Sequence, residues 1–434
     1  MKKGLKKGFD LFRTKLANNG KFAAIDQAII SVSNFAASIL LTTLVSPTDL
    51  GVYVIGFLAI YFVRAIQNGI IIQPLNTYGA GKTESDFKTY FSAVAVHQLL
   101  LALLVSVAAI IFGWLLTSTG NDILGPTVFA LWFSAFTWQV QEFIRRAFYT
   151  RGTVGNTIWI SLSTMVVRLG MIWVHAQMGT ISGLNGLHAI GWGGLAGGLI
   201  GLWLARGFFT KHMQNLVAVW RENWRFGRWI LGASLADWMV VDLYPIMMAG
   251  LISFAATGVY QTLQNLVAPI HVLLRAIDTF VTPILARVYD QSGLGQVKRS
   301  LKLILVLGGI PVIGLLLVVL FFTPQLLYLL KGDTYLPYAD GIYLMALFYL
   351  FMFINRPLQM VFRGVRQGKQ VFLANILAAL SMFSVGFWLI NRWGLYGAIA
   401  GQALNAIIIS IVLLIAWVRF IKRDLMESSQ ERSL

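Results

Sequence analysis

Apolar stretches of about twenty residues, long enough to cross a hydrocarbon core as helices, follow one another along nearly the whole chain. The pattern predicts twelve spans, over residues 22–45, 50–74, 90–116, 124–147, 153–176, 186–206, 228–251, 255–283, 301–330, 339–363, 370–390 and 394–418. Few charges interrupt them. Arg64, Arg168, Arg275 and Arg356 do. An arginine deep in a bilayer costs roughly 2.5 to 3.5 kcal/mol, so four facing lipid would cost about 10 to 14 kcal/mol. Facing a wet, cationic interior avoids that cost, and such an interior suggests an anionic cargo.

Composition agrees with the pattern. Of 434 residues 57% are hydrophobic and 12% charged, with a mean hydropathy of +0.73, outside the range of ordinary soluble domains. The net charge of +17 would suggest a nucleic-acid partner if it lay on one soluble face, but it alternates with the loops. The odd-numbered connections hold only Lys331 and Arg392. Apart from the four intramembrane arginines, the N-terminal segment, the even-numbered connections and the C-terminus hold the rest, with Arg145, Arg146 and Arg151 assigned to the connection at the end of the fourth span. By the positive-inside rule both termini are cytoplasmic, and a missed span would invert the bias midway. Most of the basic charge is therefore topology and contact with membrane lipids, and no nucleic acid is expected. Residues 1–21 interleave Lys2, Lys3, Lys6, Lys7, Arg13 and Lys15 with Leu5, Phe9, Leu11, Phe12 and Leu16, which suits a basic amphipathic helix on an anionic leaflet. No small-residue cleavage site follows a short apolar core, so this is not read as a cleavable signal. There is no cysteine, which excludes disulfides and thiolate chemistry.

The chain repeats itself. The run Leu44-Val45-Ser46-Pro47-Thr48-Asp49-Leu50-Gly51-Val52-Tyr53 and the run Leu251-Ile252-Ser253-Phe254-Ala255-Ala256-Thr257-Gly258-Val259-Tyr260 share Leu, Ser, Gly, Val and Tyr without a gap. A second echo matches the spacing of Gly191, Gly194 and Gly198 to that of Gly394, Gly397 and Gly401, spacing that lets helices approach closely in lipid. An even number of spans per half gives parallel repeats, a transporter architecture with its cargo site near the midplane. The predicted organisation is a basic segment (1–21), an N-lobe (22–206), an interfacial linker (207–227), a C-lobe (228–418) and a cytoplasmic tail (419–434).

The repeat also sets residues in register. Arg64 corresponds to His271, and His271, Arg275 and Asp278 follow at i, i+4 and i+7 on one helical face. Pro269 and Pro283 are expected to break that helix, which is tolerated at depth where it lines protein or water. A guanidinium offers a planar fork of donors matched to phosphate oxygens, so Arg64, Arg168, His271, Arg275 and Arg356 are the candidate substrate-binding residues. Arg275 also has Asp278 within reach as an internal partner. Asp237, Asp242 and Asp278 are candidates for coupling to a proton or sodium gradient, since a buried carboxylate can carry either ion; charge-balancing of a neighbouring arginine is the alternative. Asp26 and Glu142 lie near helix ends, where a terminal charge is the ordinary explanation. The five histidines lack paired ligand spacing, so no metal site is expected. No Walker loop, nucleophile elbow or zinc motif occurs, so neither enzymatic activity nor a bound cofactor is expected.

These residues resemble the polysaccharide-export, O-antigen flippase-like branch of the multidrug/oligosaccharidyl-lipid/polysaccharide (MOP) exporter superfamily over nearly the whole chain. The run from Leu44 to Tyr53 is similar to that family's Leu-Ser-Pro-Glu-Asp-(Phe/Leu)-Gly-Leu-Tyr turn. Arg151-Gly152, Phe226-Gly227, Thr257-Gly258-Val259-Tyr260, Gly332-Asp333-Thr334-Tyr335 and Gly394-Leu395-Tyr396-Gly397-Ala398 follow in the family's order. The resemblance implies an all-α, V-shaped transporter of two six-helix lobes in a bacterial or archaeal plasma (inner) membrane. It further implies a polyprenyl-diphosphate-linked oligosaccharide as cargo, moved from the cytoplasmic to the outer leaflet for polysaccharide biosynthesis, and polysaccharide polymerase or synthesis machinery as a partner. One departure stands out: where such proteins often carry Asn-Leu-Asp-Arg, this chain has Asp242-Leu243-Tyr244-Pro245. Two other readings stay open, an ion-coupled drug or organic-cation antiporter of the same superfamily and a non-transporting subunit of a glycan synthesis complex.

Overall fold

The structure is a computed structural model. It describes the backbone of residues 2–365 and 367–431, and side chains except those of 1–18, 237, 240–241, 272, 275–284, 286–287, 290, 292, 366 and 423–434. No strand occurs among the described residues. Helix α1 (Lys2–Leu44) is followed by α2 (Pro47–Gln67), which passes through a π-turn at Asn68–Ile72 into α3 (Gln73–Gly79). Then come α4 (Glu84–Ser118), α5 (Leu124–Thr150), α6 (Gly155–Gln177), α7 (Gly183–Leu204) and α8 (Leu216–Leu251). The chain ends with α9 (Phe254–Lys331), α10 (Gly341–Gly364), α11 (Gly368–Ser381) and, across a second π-turn, α12 (Phe387–Glu431).

Two of these elements turn back on themselves. Gly293 in α9 (φ 67°) and Gly394 in α12 (φ 56°) occupy the left-handed region that glycine alone adopts readily. Division there gives twelve long helical stretches in the order the apolar pattern predicts. Among the described residues the fold is all-α, with eight helices long and apolar enough to cross a membrane.

Three expectations change. The backbone stays helical through Pro269 and Pro283, and the break in α9 falls at Gly293 instead. The stretch before the seventh span is not a separate helix in the interface, because α8 runs unbroken from Leu216 into the apolar span. Gly394 is a turn residue, whereas Gly191 lies inside α7, where a Cβ would meet Phe133 and the Ser134 backbone on α5. The glycine echo therefore joins two different jobs.

The contacts divide the chain into two compact units, Met1–Val241 and Asp242–Leu434. In the first, α7 packs on α5 through backbone-level contacts. Ser134 donates to the Leu187 carbonyl and Thr137 to that of Gly191, both at 2.8 Å. Such bonds satisfy the hydroxyls without water, as lipid requires. In the second unit, Tyr244, Tyr260, Leu263, Tyr349, Met382 and Ile399 belong to one buried cluster, and the Tyr244 ring lies on Gly401.

The decapeptide repeat has one structural role in both units. Ser46 caps α2 by accepting from the Asp49 amide at 3.1 Å, and Ser253 caps α9 by accepting from the Ala256 amide at 3.1 Å. Tyr53 and Tyr260, each seven residues on, are buried. Asp49 also accepts from the Gly183 amide at 3.0 Å. A Cβ on Gly183 would lie 2.0 Å from the Asp49 carbonyl oxygen, so Gly183→Ala must push α7 from α2. We expect a loss of about 1–3 kcal/mol, measured as a lower midpoint of thermal unfolding in detergent; an unchanged midpoint would contradict the packing.

Candidate functional site

The charged positions of the first unit separate into a matched set and a surplus. Asp26 of α1 is fully buried and accepts from Arg145 Nη1 at 2.5 Å, Tyr149 Oη at 2.6 Å and Ser161 Oγ at 2.5 Å. Glu142 accepts from Arg145 Nε at 2.8 Å and Nη2 at 2.9 Å, and from Arg146 Nε at 2.7 Å. Glu142, Arg145, Arg146 and Tyr149 stand at i, i+3, i+4 and i+7, one face of α5, while Ser161 comes from α6. Two carboxylates thus meet two guanidiniums inside the bundle. This corrects the assignment of Arg145 and Arg146 to a connection and of Asp26 and Glu142 to terminal charges.

Among the described residues Arg64 and Arg168 have no carboxylate partner. Arg168 is buried and donates to Asn34 Oδ1 at 2.6 Å and to Tyr53 Oη, while its Nε has no hydrogen-bond partner. Its guanidinium lies 5.8 Å from the Phe57 ring centroid. It is packed among α1, α2 and α6 on neutral groups. Arg64 is exposed on α2, with its guanidinium 5.4 Å from the Tyr61 ring centroid and its charge acting on Glu142.

A buried amide pins the helix that presents Arg64. Gln67 Nε2 donates to Gln98 Oε1 at 2.9 Å and to the Gln139 carbonyl at 2.8 Å, tying α2 to α4 and α5. The π-turn follows at once. There Gly69 meets α8 at backbone distance: a Cβ on it would lie 2.6 Å from Leu231 Cα, and one on Gly227 would lie 2.5 Å from the Gly69 carbonyl. π-turns inside helices frequently mark functional positions.

In the second unit the predicted residues sit on α8, α9 and α10. His271 is half-buried with its ring perpendicular to that of Tyr349, centroids 6.4 Å apart. Arg356 is half-buried on α10 beside the buried Asn355 and Pro357. Asp242 is half-buried on α8. The side chains of Arg275 and Asp278, and that of Asp237 at the α8 end of the first unit, lie outside the described residues, although the backbone keeps 271, 275 and 278 on one helical face. Tyr260, the counterpart of Tyr53, donates to Gln402 Oε1 at 2.7 Å. Among the described residues no group of His, Asp and Glu is placed to hold a metal ion.

Sequence reasoning did not find the ionic cluster or the glutamine clamp. The cluster has a local trace, since Glu142-x-x-Arg145-Arg146-x-x-Tyr149 follows helical period, but Asp26 is distant in sequence. The clamp has none.

Comparison with known proteins agrees with this fold. Residues 238–388 match the MatE family model. No curated protein matches the sequence. An inward-facing multidrug resistance MATE family transporter of the MOP superfamily is similar at a TM-score of 0.74 and 12% identity, over 94% of this chain and 99% of that one. A MOP-superfamily transporter from Pyrococcus furiosus, described as having a binding pocket of reverse polarity that suggests a different function, is similar at 0.61 and 13% identity, over 94% and 95%. The lipid II flippase MurJ in an inward closed conformation is similar at 0.61 and 11% identity, over 91% and 86%. Part of the chain thus matches the MatE family model, and the whole has a fold like that of these solved MOP-superfamily transporters.

The matched set generates a stability prediction. Arg145→Met leaves two buried carboxylates short of donors and should cost about 3–5 kcal/mol, while Asp26→Asn/Arg145→Met, which neutralises one of those two carboxylates, should recover part of it. Thermal unfolding of detergent-purified variants reads this, and a single variant as stable as the parent would refute the buried cluster.

Proposed function

We propose that the protein is a flippase that carries a polyprenyl-diphosphate-linked oligosaccharide from the cytoplasmic to the outer leaflet of a plasma membrane, both termini being cytoplasmic. The observation that carries this reading is the surplus of positive charge. Among the described side chains in the interior of the first six spans, Asp26 and Glu142 are matched by Arg145 and Arg146, and Arg64 and Arg168 remain, with Arg206 at the end of the sixth. A diphosphate entering a membrane loses hydration that only charged or hydrogen-bonding groups can replace. Arg64, exposed, is the group that meets it; Arg168, buried on neutral partners, adds its field. His271, Arg275 and Arg356 are the corresponding groups of the second unit, and Asp237, Asp242 and Asp278 the candidates for taking up a coupling proton or sodium ion. The prenyl tail stays in lipid. Release requires the contacts to weaken in the outward-open state, because equal affinity in both states shifts no equilibrium. Polysaccharide synthesis machinery would supply and consume the cargo.

A second reading is favoured by the MatE match over residues 238–388: an ion-coupled antiporter of organic cations. The surplus of arginine disfavours it, since a cationic cargo needs carboxylates or open aromatic faces.

Leaflet exchange of a labelled polyprenyl-diphosphate oligosaccharide in proteoliposomes tests the proposal. Loss of one charge-assisted contact should slow exchange roughly ten- to hundredfold in Arg64→Ala, with partial retention in Arg64→Lys. Full activity of the alanine variant would rule out the arginine site. Proton- or sodium-driven efflux of a cationic dye without glycan exchange would establish the antiporter.

A further inference from the structure

The first turns of α8 carry two opposed faces. Val219, Asn223 and Gly227, at i, i+4 and i+8, are buried against the first unit. Asn223 Oδ1 accepts from Tyr90 Oη at 2.9 Å, and Gly227 touches the backbone of Gly69. Roughly half a turn round the helix stand Arg221, Arg225 and Arg228, at i, i+4 and i+7, all exposed. At 1.5 Å per residue they form a stripe about 10 Å long.

Two features set this stripe apart from a solvated helix face. Glu222 is the lone acid between Leu216 and Ala236, and none of the three arginines makes an ion pair among the described residues. Large aromatic rings flank the stripe. Trp220 and Trp224 are exposed and stacked at 6.0 Å on one side, and Trp229, 74% exposed, lies 5.3 Å from the Arg228 guanidinium on the other. The level along the unit is set by neighbours: the Gln214 amide donates to the Thr89 carbonyl in the second turn of α4, and His97, three turns into α4, meets the Trp220 ring. The stripe therefore starts beside the first half of α4, a few turns in from the end that Lys82 precedes and that carries Lys88, and continues towards the apolar span. Indole rings favour the headgroup level, and arginine forks match phosphate oxygens.

We infer that the outward face of α8, through Arg221, Arg225 and Arg228 framed by Trp220, Trp224 and Trp229, is a binding surface for the phosphate groups of anionic phospholipids in the leaflet that this end of the unit meets. The surface binds lipid whether or not the protein moves a glycan, so it stands or falls separately from the flippase reading. Its expected consequence is a protein that retains and enriches anionic lipid around α8.

The test titrates the full-length protein in detergent with phosphatidylglycerol, phosphatidylcholine or farnesyl diphosphate and counts bound molecules by native mass spectrometry. The variants are Arg221→Gln/Arg225→Gln/Arg228→Gln and, as a charge-matched control at the same end of the unit, Lys82→Gln/Lys88→Gln/Arg206→Gln. Each arginine beside an anionic surface is worth roughly fivefold, so the α8 triple variant should bind phosphatidylglycerol at least tenfold more weakly, with phosphatidylcholine unaffected and the control near the parent. Should the triple variant not remain monodisperse, Arg225→Gln alone should give a loss of about fivefold. Unaltered phosphatidylglycerol binding overturns the inference. So does an equal loss in the control, which would mark diffuse charge, and so does loss of farnesyl diphosphate binding with phosphatidylglycerol binding intact, which would assign the stripe to a prenyl diphosphate instead.

Discussion

A charge inside a hydrocarbon-spanning bundle must be met by protein, because lipid offers it nothing. In the first unit Arg145 discharges most of that requirement. It reaches Asp26 on α1 and Glu142 on its own helix, while Tyr149 and Ser161 complete the coordination of Asp26. The cluster closes α1, α5 and α6 around one point. A buried ion pair is seldom a net source of stability compared with apolar packing, so its presence is better understood as fixing which helices are neighbours. It also bears on the electrostatics: with both of these carboxylates hydrogen-bonded to Arg145 and Arg146, neither is left to pair with Arg64 or Arg168.

The two copies of the internal repeat share an architecture and differ in chemistry. Ser46 and Ser253 begin corresponding helices with the same cap, and each is followed by a buried tyrosine. The partners of those tyrosines differ. Tyr53 receives a hydrogen bond from Arg168, whereas Tyr260 donates one to Gln402 and accepts another from Gln264 at 3.0 Å. A phenol hydroxyl serves equally as donor or acceptor, so one tyrosine accommodates a cation in the first unit and neutral amides in the second. That difference gives the first unit a fixed charge without altering the helix that carries the repeat.

Spans, their order and the repeat were legible because hydropathy, loop charge and a capped turn are local properties. What failed to show depends on the third dimension. Arg145 sits at the end of an apolar window, and nothing local separates a guanidinium beyond the helix end from one folded inward onto Asp26, 119 residues away in sequence. The clamp of Gln67 on Gln98 and Gln139 links residues whose amides look alike at any depth. Pro269 and Pro283 pointed to a broken helix, yet the break fell at Gly293, where positive φ reverses the chain. Gly394 was legible as a turn between the last two spans, but it was also drawn into a helix-packing echo, since close packing and left-handed backbone both demand the missing Cβ. Arg64, Arg168, His271 and Arg356 were legible as charges or bases out of place; whether each is exposed, buried or half-buried was not.

The fold itself cannot choose the cargo, for it is common to solved structures described as multidrug transporters and as a lipid II flippase. The choice rests on charge at particular positions. A cationic drug approaching Arg64 would meet like charge with Glu142 already engaged by two guanidiniums, and like charges in a low-dielectric setting repel more strongly than in water. An anionic head group meets the reverse. The helix bearing Arg64 is also held, by Gln67 on one side and by the contact of Gly69 with α8 on the other, which fixes where this side chain leaves the backbone while its exposed guanidinium keeps its rotamer freedom. The two properties have separate origins: the pairing of Glu142 with Arg145 and Arg146 leaves Arg64 without a carboxylate, and the clamp on α2 sets its position within the unit.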